Sequence, residues 1–115
     1  MQENSAYIIQ CRTNWFLGIR PCDKTAKDRE EYKALIKIAQ SYFDKDRYQE
    51  FSDYFMEGHY LIPLWTAHLI LEYGQPTHQL KEKCLQIITE YTNNPLAPDV
   101  AIQEKEWLEN FNNSK

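Results

Sequence analysis

The segment Leu61-Ile62-Pro63-Leu64-Trp65-Thr66-Ala67-His68-Leu69-Ile70-Leu71-Glu72-Tyr73 constrains this chain more than any other. Pro63 suits a first helical turn, where a missing N–H costs no hydrogen bond. Gly74 suits the left-handed residue just past a helix end, and Pro76 blocks continuation. At about 100° per residue the apolar side chains fall nearly all the way round the wheel, so the spacing predicts a helix covered on most sides. The neighbouring segments must supply that cover.

Residues 5–17 predict a helix capped by Asn4 or Ser5, with Ile8, Cys11, Trp15 and Ile19 inward and Gly18 as its stop. A strand from Tyr7 to Cys11 is the alternative, disfavoured because β-branched content is confined to two isoleucines. Residues 20–24 form a connector. Thr25 is a candidate N-cap, with Asp28 and Glu30 in the first turn, where the helix dipole favours negative charge. Tyr32, Leu35, Ile36, Ala39, Tyr42 and Phe43 then make an apolar stripe, which Asp44-Lys45-Asp46 ends. Asp46 can cap a further helix in which Tyr48, Phe51, Ser52 and Phe55 share a face and Gly58 supplies the exit.

Beyond Pro76, Thr77 is an N-cap candidate for the stripe Leu80, Cys84, Ile87, Ile88 and Tyr91, which Asn93-Asn94-Pro95 ends. Pro98 restarts a helix with Val100, Ala101, Trp107, Leu108 and Phe111 inward and residues 112–115 fraying away. No strand pattern remains. The expectation is one all-α domain over 1–115, with an N-terminal helix and connector at 1–24, short antiparallel helical hairpins stacked over 25–111, and a frayed tail at 112–115.

Charge and cysteine usage narrow the function classes. A net charge of −4 opposes binding to a polyanion, so a nucleic-acid partner is not expected. Cys11, Cys22 and Cys84 are odd in number and form no C-x-x-C pair, a pattern of reduced thiols in a cytoplasm. The first residues lack a basic n-region, and no run approaches the roughly 18 apolar residues that span a bilayer. A membrane partner is therefore not expected either. The aromatic share of 14%, with eight tyrosines, suggests that some rings serve an interface.

Asp46, Glu50, Asp53 and Glu57 stand at i, i+4, i+7 and i+11, one row opposite Tyr48, Phe51 and Phe55. Such a row is either the solvated face of an amphipathic helix or a docking surface for a cationic partner. Glu104 falls near the centre of the apolar wheel of the last helix and needs a partner there. Either the helix ends are frayed and it reaches solvent or an Arg or Lys of an adjacent helix, or it occupies a groove at the open end of the stack. His68 and Glu72 are four apart on the central helix and can share a hydrogen bond; with no third His or Cys at helical spacing, no metal is expected. Cys84 lies among apolar neighbours, as an inert thiol does. No glycine-rich phosphate loop is present. Catalytic residues, metals and cofactors are all expected to be none.

A short capped helix, a Gly/Pro break and a Pro-initiated buried helix occur at 46–73 and again at 77–111, with Pro63 and Pro98 in corresponding places. In this the chain resembles the HEAT/armadillo-like class, and Leu61 to Glu72 looks like the second helix of such a repeat. Residues 27–111 are similar to small bacterial proteins of one and a half to two such units, some of which resemble immunity proteins that neutralise a cognate toxin. The turn His59-Tyr60-Leu61-Ile62-Pro63 departs from the repeat pattern in lacking its acidic and basic pair. The resemblance implies a scaffold for protein binding. The function expected is therefore a cytosolic, non-enzymatic protein-binding module. Most concretely it is an immunity-type protein that blocks a toxin or other basic partner through an acidic, Tyr-rich surface carrying Asp46, Glu50, Asp53, Glu57 and Glu104. The alternative is a small metal-dependent or hydrolytic enzyme built on His68, Glu72 and Glu104.

Overall fold

The computed structural model describes residues 5–93 and 97–113, and the described chain is all-helical. The central segment is helix α4 (Ile62–Tyr73), in which every residue from Ile62 to Ile70 is buried. Around it lie α1 (Ala6–Phe16), α2 (Glu30–Asp44), α3 (Tyr48–Ser52) with a 3-10 turn (Asp53–Met56), α5 (His78–Tyr91) and α6 (Pro98–Asn113). The heaviest packing on α4 comes from α5, the 3-10 turn and α2, while α1 packs mainly on α2 and α6 on α5. No helix among the described residues is long and apolar enough to cross a membrane.

The N-terminal helix belongs to the core. Ser5 caps it by accepting from Ile8 N at 3.1 Å, whereas Asn4 lies outside the described residues. Tyr7 and Cys11 are buried, and Gly18 takes the left-handed conformation (φ 77°) that lets the chain turn so that Ile19 is buried too. Trp15 is the exception to the predicted stripe: 36% exposed, it lies outside the core.

Buried rings tie these elements together. Tyr7 meets Phe51 at 4.8 Å and Tyr54 at 4.6 Å, and Tyr32 sets its edge against Trp65 at 5.0 Å. Pairs of this kind stabilise by about 0.5–1.5 kcal/mol beyond their area burial. Their hydroxyls are satisfied in order. Thr66 donates to Ile62 O at 2.8 Å, so Tyr7 is the donor in its 2.9 Å bond to Thr66. Tyr54 donates to Ser5 Oγ and accepts from Tyr42 at 3.0 Å. Of the eight tyrosines, Tyr7, Tyr32 and Tyr54 are buried and the other five are half-buried, so none stands fully exposed as the expected Tyr-rich surface would have it.

Several boundaries differ from the sequence expectation, each for a local reason. Thr25 does not cap α2, because its N–H and hydroxyl both bond to Asp23 Oδ1 in a turn; the helix begins at Glu30, with Glu30 and Glu31 in its first turn. Asp46 does not cap α3. It adopts φ 56°, and Arg47 is the N-cap residue. The entry to α4 is turned by Tyr60 and Leu61, at φ 56° and 58°, with no left-handed glycine there. Gly74 is extended (φ −107°), and its role is space: a Cβ would lie 2.9 Å from Ile70 O and 3.0 Å from the Tyr48 ring. Residues 112 and 113 continue α6, while residues 94–96 and 114–115 of the predicted break and tail lie outside the described residues. The stripes of α2 and α5, and Thr77 as the cap of α5 (Leu80 N to Thr77 Oγ1, 3.2 Å), are as predicted.

Candidate functional site

Three segments far apart in sequence converge beside the central helix. The i, i+4 spacing on α4 puts His68 and Glu72 on one face, and His68 Nδ1 lies 3.0 Å from Glu72 Oε2. Helix α6 brings Glu104, whose Oε1 is 2.6 Å from His68 Nε2. The connector brings Cys22, with Sγ 3.4 Å from the same nitrogen. Tyr32 of α2 holds that connector by donating to Pro21 O at 2.5 Å, one residue before Cys22. Trp107 closes one side, edge-on to the imidazole at 4.5 Å.

Burial and pairing oppose each other here, and pairing prevails. Burial disfavours an imidazolium at His68, yet hydrogen bonds to Glu104 and Glu72 outweigh it and raise its pKa. Burial likewise works against a Glu72 carboxylate, but His68 and Lys27, whose Nζ is 3.4 Å from Glu72 Oε1, hold it below the usual range. Burial and the facing Glu104 carboxylate push the Cys22 thiol up. Glu104 is fully buried, and its Oε2 has no hydrogen-bond partner.

This arrangement orients a histidine from both sides and can exchange a proton or a cation at Nε2. Cys22 Sγ, His68 Nε2 and a Glu104 oxygen all lie within 4.8 Å of one another. Cys22, Lys27, Gln103 and Trp107 border an adjoining cavity of about 50 Å³. His68, Glu72 and Glu104, which only the alternative enzyme reading required to converge, do meet. Cys22 was the residue missed, since one cysteine in an aperiodic connector carries no spacing signal. Glu104, expected on a partner-binding surface, is instead an interior residue paired with His68. Cys84 is buried, and its thiol is pushed up to about 12.

The acidic row is not one regular helix face. Asp46 sits in a left-handed turn, Glu50 in α3, Asp53 in the 3-10 turn, and Glu57 on extended backbone. Glu50 is not unpaired: Arg47 Nε and Nη2 each donate to its carboxylate at 2.7 Å. Asp46 borders an open groove of about 380 Å³ shared with Tyr48 and Gln75.

Met56 in the 3-10 turn and Ile102 on α6 are exposed singly, whereas three exposed apolar groups are consecutive in sequence. Trp15, Phe16 and Leu17, at the end of α1, are 36%, 70% and 46% exposed. Phe16 leans on Tyr60 at 6.1 Å, and the Arg20 guanidinium lies 4.4 Å over the Trp15 ring. The sequence signal was available: Phe16 and Leu17 lie off the Ile8–Cys11 stripe and have no other face to fill.

Comparison with protein-family models, with curated proteins and with solved structures finds no match to this chain.

Proposed function

We propose that this chain is a cytosolic protein-binding module whose contact surface is the aromatic knuckle of Trp15, Phe16 and Leu17. The observation that carries this reading is Phe16, a large ring left 70% exposed beside Trp15 and Leu17 on a well-packed frame. Exposed apolar clusters with aromatic members are where partners gain most binding energy. The net charge of −4 favours a basic partner and speeds its approach. The concrete form proposed is an immunity-type protein that blocks a cognate toxin, on a HEAT-like frame in which α4, α5 and α6 pack each on the next. Asp46, Glu50, Asp53 and Glu57 are proposed as a second, acidic contact region, with Glu50 paired to Arg47.

The test is affinity capture from the native source with the wild-type chain, a Phe16→Asp variant and a Glu50→Lys, Asp53→Lys variant, followed by titration of the captured protein. A stoichiometric basic partner bound at least tenfold more weakly by Phe16→Asp is the expected result. Equal binding by all three chains overturns the knuckle as the contact surface.

A second reading, a small metal-dependent or hydrolytic enzyme, has in its favour the convergence of His68, Glu72 and Glu104. Burial weighs against it, since His68 is 2% exposed.

A further inference from the structure

We propose that Cys22, His68 and Glu104 form a binding site for one divalent transition-metal ion of the zinc class. The donor set is a thiolate, an imidazole and a carboxylate. Mixed sulfur, nitrogen and oxygen donors suit Zn²⁺ and its neighbours, whereas Mg²⁺ and Ca²⁺ take oxygen ligands. A tetrahedral zinc ion with ordinary bond lengths holds its sulfur and nitrogen ligands about 3.5 Å apart and its nitrogen and oxygen ligands about 3.3 Å apart. Cys22 Sγ already stands 3.4 Å from His68 Nε2. Glu104 Oε1, at 2.6 Å, has to withdraw by roughly 0.7 Å to reach that spacing.

Two further observations point to a cation here. Glu104 Oε2 is buried without a partner, and so is Oε1 of Gln103, which lines the adjoining cavity. Buried acceptors left without donors call for a missing donor or ion. The outer partners of the histidine are also those of a metal ligand: Nδ1 is held at 3.0 Å by Glu72, itself anchored by Lys27, which leaves Nε2 to coordinate.

The charge balance is favourable for a buried site. Binding displaces the proton on Cys22 Sγ and the proton on His68 Nε2, so two positive charges arrive as two leave. The fourth position falls to a water, for which the neighbouring cavity of about 50 Å³ has room. Such an ion would fasten the connector to α4 and α6 and stabilise the fold by binding only its folded form.

The experiment is titration of the metal-stripped full chain with Co²⁺, followed by displacement with Zn²⁺. Saturation at one equivalent is expected, with a near-ultraviolet thiolate-to-cobalt charge-transfer band that Zn²⁺ discharges, and with a raised thermal midpoint. Cys22→Ser, in a half-buried connector position, should lose the band and keep its helical circular dichroism, while Cys84→Ser keeps the band. Glu72→Ala should weaken Zn²⁺ binding roughly 10- to 100-fold as an orienting partner. The absence of a band in the wild-type chain at stoichiometric Co²⁺ overturns the proposal without recourse to any variant. So does a band that survives Cys22→Ser.

Discussion

His68 Nε2 and Glu104 Oε1 lie 2.6 Å apart, although 36 residues separate them and both side chains are almost wholly shielded from water. The pair joins α4 to α6, and Glu72 completes it from the other ring nitrogen. A buried ion pair adds little net stability over an apolar pair of the same shape, but removing one member leaves a charge uncompensated.

From that asymmetry, His68→Ala should destabilise the fold by about 3–5 kcal/mol, because it strands Glu104 and leaves Glu72 with Lys27 alone. Adding Glu104→Leu to His68→Ala should recover part of the loss. Urea unfolding of the two single variants and the double variant gives the coupling. Strictly additive losses would show that the contact carries no interaction energy.

The tyrosine hydroxyls predict a contrast between two similar substitutions. Tyr54→Phe removes the donor to Ser5 and the acceptor for Tyr42 together, so it should cost about 1–3 kcal/mol. Tyr7→Phe leaves Thr66 still donating to Ile62 O, and should cost only about 0.5–1.5 kcal/mol. Denaturant midpoints for the two variants decide it, and the reverse order would contradict the assigned donor directions.

Much of the architecture was legible because it is periodic. The central helix, the stripes of α2 and α5, and the Ser5 and Thr77 caps follow from spacing and local hydrogen-bonding chemistry. What was not legible depends on contacts between distant segments. Thr25 is drawn off its cap by Asp23, and Gly74 is set by the Ile70 carbonyl and the Tyr48 ring rather than by its own backbone angle. Of the site, the i, i+4 pair His68 and Glu72 and the misplaced Glu104 could be read from helical wheels. Cys22 could not, because only Tyr32 and the path of the connector bring it there.

Gly74→Ala tests the claim that space is what this position requires. The added Cβ meets a backbone oxygen at 2.9 Å as well as the Tyr48 ring, and the helix carbonyl cannot move without loosening the end of α4. Stability should fall by about 1–3 kcal/mol, the usual range for overpacking. Repeating the substitution in a Tyr48→Ala background should relieve only part of the loss. Full relief would mean that the ring alone sets the limit.

Cys84 gives the clearest dependence on pH. Its thiol is fully buried, and desolvation lifts its pKa to about 12. In the unfolded chain the same thiol ionises near 8.5, so from about pH 8.5 to pH 12 the unfolded state holds fewer protons than the folded one. The stability that the neutral thiol contributes is complete below that window and is lost as pH rises through it, at up to about 1.4 kcal/mol per pH unit. Cys84→Ala should therefore flatten the alkaline limb of the stability curve relative to wild type, whatever its offset at neutral pH. Urea midpoints measured at half-unit steps above pH 8 give both slopes. Equal slopes would remove Cys84 from the account of alkaline unfolding.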